Sequence, residues 1–151
     1  MNSPESIVVS LEWAKKLKKA GWPQDDGCFW YREIMHTGAK RMHRTLIDRE
    51  AREHCQTNPL PNPTAIKSEE WFDATTAEEI LWRLPEYLNQ RDIKGELHFY
   101  KWPDGFSCGY SRWDSLPNGY AWAHMMKADT LANAAAAMWC HLKENNLLPE
   151  S

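Results

Sequence analysis

Residues 130–145, TLANAAAAMWCHLKEN, constrain the fold more than any other stretch of the chain. Leu131, Ala134, Ala135, Met138, Trp139 and Leu142 fall at i, i+3, i+4, i+7, i+8 and i+11, one continuous apolar stripe at helical period. A helix of this kind must lie against another layer, and its alanines allow close approach. Asp129 or Thr130 supplies the N-cap. Ala136, Ala137 and Cys140 stand off the stripe and leave a bland flank, a second and weaker candidate for contact with a partner.

The other elements follow from local signals. Ser10 caps a helix running to about Ala20, with Val9 and Ala14 at the positions of a hydrophobic staple and Gly21 as the terminating residue. Lys15, Lys16, Lys18 and Lys19 are expected to face away from its apolar edge. CFWYREI, residues 28–34, reads as a strand after an Asp25-Asp26-Gly27 turn. Thr76 with Glu79 forms a capping box for a second helix, whose inner face is Ala77, Ile80, Leu81 and Leu84. Residues 95–113 read as a hairpin turning at Pro103-Asp104-Gly105, with glycine at a positive-φ position. Its first strand carries aromatic or apolar groups on both faces: Leu97 and Phe99 on one, His98, Tyr100 and Trp102 on the other. A short strand or irregular piece through Tyr120–His124 follows.

Residues 36–63 leave two alternatives open: a charged helix from about 39 to 54, or a strand around Thr45–Asp48. Three prolines in QTNPLPNPT then require loop or extended chain. The stretch from about 36 to 70 is therefore expected to be a charged, proline-rich excursion from a single α+β domain spanning 1–151. The expected architecture is a small, mainly antiparallel sheet with about three helices packed on one face.

Composition narrows the function classes. The 151-residue chain is long enough to fold without a metal or disulfide. A formal charge of −3 argues against a general binder of nucleic acid or anionic membranes. No apolar run is long enough to span a bilayer, and MNSPESIVVS lacks the features of a secretory signal, so a cytoplasmic chain is expected. The four cysteines are far apart and never form C-x-x-C, as expected of free thiols.

Together, VSLEWAKKLKKAGWPQ, TAEEILWRLPEYL, LHFYKWPDG and DTLANAAAAMWCHLKEN resemble a group of small uncharacterised proteins of bacteriophages and prophages. The resemblance spans nearly the whole chain and is weakest over 36–70. It carries over no activity, cofactor or site residue. It implies a bacterial cytosol during infection or lysogeny.

No catalytic, cofactor or metal motif stands out, so no catalytic, cofactor-binding or metal-ligating residue is assigned and a non-enzyme is expected. His98, Cys108 and His124 could approach one another across the hairpin, but their spacing is not that of a zinc site. Nine tryptophans are too many for so small a core, and Trp, Tyr, Arg and Met are the residue types enriched in interface hot spots. Trp71 and Phe72, expected in a loop, with Trp102, Trp113 and Trp122 around the hairpin, are the candidate contacts for a host or phage protein, or for a second copy in a homodimer. The competing reading is a single-stranded nucleic-acid binder or adaptor using Lys40, Arg41, Arg44, Arg49 and Arg52 with neighbouring tryptophans as stacking platforms.

Overall fold

A computed structural model describes residues 7–24, 27–36, 42–57, 66–90, 93–113 and 120–148. The chain divides into two compact units, Met1–Thr75 and Thr76–Ser151, each with its own antiparallel sheet. The α+β class is as the periodicities predict. The expected single sheet is instead two.

In the first unit, helix α1 (Leu11–Ala20) begins where predicted, with Ser10 Oγ accepting from the Trp13 amide at 3.4 Å. It ends in a Schellman motif: the Trp22 amide donates to the Leu17 carbonyl, the Gly21 amide to that of Lys18, and Gly21 has φ 101°. Strand β1 (Phe29–His36) is central, flanked by β2 (Met42–Asp48) and β3 (Ile66–Asp73). Helix α2 (Arg49–Thr57) follows β2 directly. Both alternatives for the uncertain segment are thus realised in succession, strand and then helix. Rather than forming an excursion, 42–48 pair with β1 from Phe29 to Met35, and 66–70 pair with its last residues, Glu33 to His36.

Pleating gives this sheet two distinct faces. Tyr31, Glu33, Arg44 and Phe72 share one, and α1 lies there: Lys15 Nζ is 2.9 Å from Glu33, and Lys18 Nζ donates to the Trp71 carbonyl at 2.9 Å. Two of the four lysines expected to point away therefore reach back to the sheet. Their long stems cover apolar surface while the ammonium groups find oxygen partners. Trp30, Arg32 and Trp71 share the other face, where α2 docks. Helices on both faces, rather than one, follow from strands that are amphipathic on both sides.

In the second unit, helix α3 (Ala77–Arg83) carries the predicted capping box between Thr76 and Glu79. The sheet order is β4 (Tyr87–Gln90), β5 (Ile93–Trp102), β6 (Gly105–Trp113) and β7 (Tyr120–Ala128). Strand β7 runs four residues beyond the short piece read from the sequence. Gly105 sits at φ 157° beside the Pro103-Asp104 turn, and a Cβ there would lie 2.5 Å from the Ala128 carbonyl oxygen. Helix α4 (Leu131–Glu144), capped by Thr130, packs on β6, β7 and α3. The stripe is core, and so is the bland flank: Ala136, Ala137 and Cys140 are all buried. Cys108 and Tyr110 belong to the buried sheet face, and the Tyr110 hydroxyl donates to the Pro85 carbonyl at 2.7 Å. Here helices do cover a single face, leaving the opposite one open.

Candidate interaction surface

The two units treat their aromatic side chains in opposite ways. Trp30 has 1 % of its surface exposed although it lies under a helix that buries none of its own residues. Its cover is cationic. The Arg52 guanidinium stands 4.4 Å from the Trp30 ring centroid and 5.6 Å from that of Trp71, and Arg49 stands 5.8 Å from Trp30. Arg49 also donates to the Gly27 carbonyl at 2.9 Å, and Trp30 Nε1 donates to the Gln24 carbonyl at 3.1 Å. Arg32 lies over Trp71 and pairs with Glu69 at 3.2 Å, and Glu69 also accepts from Trp71 Nε1 at 2.9 Å. Arginine suits this role because its planar, weakly hydrated guanidinium stacks on an indole while its edge hydrogen-bonds.

These contacts place the basic candidates. Arg44 is exposed on β2 and pairs with Glu33 at 3.3 Å. Arg49 and Arg52 are used in docking α2 onto Trp30. Lys40 and Arg41 lie outside the described residues. The three described arginines of this segment therefore do not form one free cationic stripe: β2 and α2 distribute them among internal carboxylate, carbonyl and indole partners.

The aromatic candidates also separate. Trp71 and Phe72 lie in β3, not in a loop, because the strand extends through Asp73. Phe72, with 5 % of its surface exposed, is core beneath α1, with Lys15 and Lys18 over its ring, and is withdrawn as a contact residue. Trp71 is half-buried under Arg32 and Arg52. The side chains of Trp113 and Trp122 lie outside the described residues. Trp102 is 40 % exposed, as the sequence suggests.

Trp102 belongs to the open face of the second sheet. Register and pleat put Tyr87, Glu96, His98, Tyr100, Trp102 and Met125 on that face, around a central strand that contributes only Ser107, Gly109 and Ser111 in the same stretch. The small residues leave room beside them for the large ones. Trp102 Nε1 donates to Ser107 Oγ at 2.8 Å, its ring is tilted 38° to that of Tyr100, and Ser107 is buried beneath. Lys127 stands at the rim, 5.6 Å from the Trp102 centroid and 3.0 Å from Asp104. The ammonium hydrogen-bonded to Asp104 holds that carboxyl below its usual range. The result is an exposed aromatic surface with mixed charges at its edge.

Six of the seven exposed large apolar side chains among the described residues lie in the second unit: Trp82, Tyr87, Phe99, Tyr100, Trp102 and Met125. Of these, Trp102 alone is a contact expected from the sequence. Trp82 carried a usable signal, since the α3 stripe of Ala77, Ile80, Leu81 and Leu84 leaves position 82 pointing outward. Met125 carried none, because its exposure depends on which face of β7 the helix covers.

Two buried groups of the second sheet, Cys108 and Tyr110, are held protonated. Burial pushes the Cys108 thiol up to about 12 and raises Tyr110 as well, the latter with a smaller contribution from Cys108. All four cysteines are free thiols. Among the described residues, no three His, Cys, Asp or Glu side chains converge as a metal site would need, and no helix is long and apolar enough to cross a membrane.

Fold and surface together define an α+β protein with two antiparallel sheets, one of them open on an aromatic face. Compared with protein families, curated proteins and solved structures, the chain matches none.

Proposed function

We propose that this is a non-catalytic binding protein that engages another protein through the exposed aromatic and methionine side chains of its second unit. The observation that carries the reading is the concentration of Tyr87, Tyr100, Trp102 and Met125 on one open sheet face. These are the side-chain types that dominate interface energetics, and soluble proteins rarely expose a contiguous patch of them without use. Their resemblance-derived context is a bacteriophage or prophage accessory protein in the host cytoplasm, where blocking a host defence or regulatory factor suits a small binder. A homodimer through the same face is the alternative occupant.

The nucleic-acid reading is the weaker one. Arg44, Arg49 and Arg52 already have internal partners, and among the described side chains Glu96 on the open face and Asp104 at the adjoining turn accompany Lys127.

Affinity capture from host cells carrying a related phage, with nuclease treatment, tests the reading. Capture of a defined protein that survives nuclease and is lost with the Tyr100→Ala/Met125→Ala double variant is the expected result. Capture that disappears with nuclease, together with quenching of tryptophan emission by single-stranded oligonucleotides at low salt, would transfer the function to nucleic acid. Sedimentation of the free protein reads the dimer directly.

A further inference from the structure

Helix α2 is attached to the first sheet without an apolar anchor. None of its nine residues is buried, and Ala51, Arg52 and Cys55 are its half-buried ones. Helix α1, by contrast, sets Ala14 and Leu17 fully inside. The first turn of α2 is tied down by polar contacts. The Arg49 amide donates to the Cys28 carbonyl at 3.1 Å, and its guanidinium donates to the Gly27 carbonyl at 2.9 Å. Farther along, Arg52 meets the indoles of Trp30 and Trp71, and Arg32 donates to Cys55 Sγ at 3.5 Å. Sulfur is a weak acceptor. A helix pinned at its first turn and held beyond it without buried apolar contacts opens before the sheet beneath it does.

The place that Arg52 fills has the make-up of a guanidinium site. One guanidinium meets two indoles, with centroids at 4.4 Å and 5.6 Å. Each ring is held by its own Nε1 hydrogen bond, Trp30 to the Gln24 carbonyl at 3.1 Å and Trp71 to Glu69 at 2.9 Å, so neither depends on Arg52 for its orientation. Indole is the strongest of the aromatic cation acceptors, and a planar guanidinium stacks on it better than an ammonium does. Arg52 itself fits imperfectly: its Nε is buried and has no hydrogen-bond partner among the described residues. A buried N–H left unpaired is costly. An arginine that does not have to reach these rings from α2 can stack on the same indoles without that cost.

We propose that Trp30 and Trp71 form a guanidinium-binding site that Arg52 closes as an internal occupant, and that α2 swings aside to admit an arginine side chain of a partner protein. Arg52 is thus an autoinhibitory contact, and the chemistry of the incoming group is the one the site already holds. Every residue of this site lies in the first unit, so the inference stands apart from the open aromatic face of the second.

The test is chemical rescue of a vacated site. N-acetyl-arginine methylamide is titrated into the full chain and followed by NMR, with the citrulline analogue, which keeps the shape without the charge, as control. Arg52→Ala is expected to bind the arginine probe with an upfield ring-current shift of its δ-methylene protons. Bound probe is also expected to restore the slow hydrogen exchange across 28–34 that the substitution removes. Wild type should bind roughly tenfold more weakly, because its site is open only part of the time. The citrulline probe should bind roughly fivefold worse than the arginine probe. On the Arg52→Ala background, Trp71→Leu should weaken binding by a similar factor, whereas Trp71→Phe keeps part of it. Circular dichroism checks the fold of each variant, and Arg52→Gln, with a longer side chain, supplies a second vacated background. Absence of binding to both vacated variants makes Arg52 a packing residue and overturns the proposal. Equal binding by wild type and Arg52→Ala, or by the arginine and citrulline probes, overturns it too. So does loss of probe binding when Tyr100→Ala/Met125→Ala is added to Arg52→Ala, since the probe would then sit on the second unit; retained binding there supports the first-unit site whatever the fate of the open face.

Discussion

The first unit covers its indoles with its own cations, and the second leaves its aromatic rings open. Trp30 and Trp102 show the contrast at its sharpest. Both sit on a central or near-central strand, and both hydrogen-bond through Nε1. Trp30 is sealed because β2 runs straight into α2, and that short helix carries Arg49 and Arg52 back across the sheet. Trp102 ends at a two-residue turn, and among the described residues no helix lies on its sheet face. An aromatic strand is therefore core or surface according to what the next connection brings over it. In this chain the difference is a helix of nine residues.

The largest test of that contrast is truncation of the two rings. Trp30→Ala should destabilise the protein by about 3–5 kcal/mol, the cost of a large buried ring with the cavity it leaves. Trp102→Ala should cost no more than about 1.5 kcal/mol, since much of its surface is already in water. Urea unfolding of both variants measures the pair, and equal losses would remove the distinction.

Next in size is a pH effect confined to the buried side of the second sheet. The ordinary Cys108 value near 9 rises to about 12 on folding, so the unfolded chain loses its thiol proton first as pH increases. The contribution is intact below pH 9 and falls away toward pH 12, on the order of 2–3 kcal/mol by pH 11. Tyr110 adds to it in the same direction. Urea midpoints for wild type should drop more steeply between pH 8 and 11 than those of Cys108→Ala. Parallel curves would mean that this thiol is not sealed.

Gly105 offers a smaller effect. Its φ of 157° and the nearby Ala128 carbonyl leave no room for a methyl group, so Gly105→Ala should cost more than about 1 kcal/mol in thermal unfolding. A neutral outcome would show that the hairpin tip relaxes freely.

The smallest is Arg52. Arg52→Ala should cost about 1 kcal/mol and speed hydrogen exchange across 28–34, because the cover of Trp30 loosens. Arg52→Lys should recover only part of this, since an ammonium cannot stack as a guanidinium does. Full recovery would make the cover a matter of charge alone.

Legibility in the sequence followed the range of the forces. Ser10, Gly21, Thr76 with Glu79, and Thr130 act within four residues of themselves, and each stands where it was read. The α4 stripe was equally readable because helical periodicity is local. Segment 36–63 was ambiguous for a physical reason: its charges suit an exposed helix and an outer strand alike, and β1 arbitrates by pairing with Met42–Asp48. Phe72 reads as exposed from the sequence because nothing nearby reveals that α1, some fifty residues earlier, lies on top of it. The candidate surface was legible only at Trp102. Tyr87, Tyr100 and Met125 joined it when strand register put them on the same side.

Caps, turns and helical stripes, and with them the α+β class, are encoded locally, because propensity and periodicity act over a few residues. Long-range pairing sets the presence of two sheets rather than one, which arginines turn inward, and which aromatic rings meet water. Those outcomes depend on pairing and covering between segments far apart in the chain, where a single residue's change of register moves a side chain from core to surface.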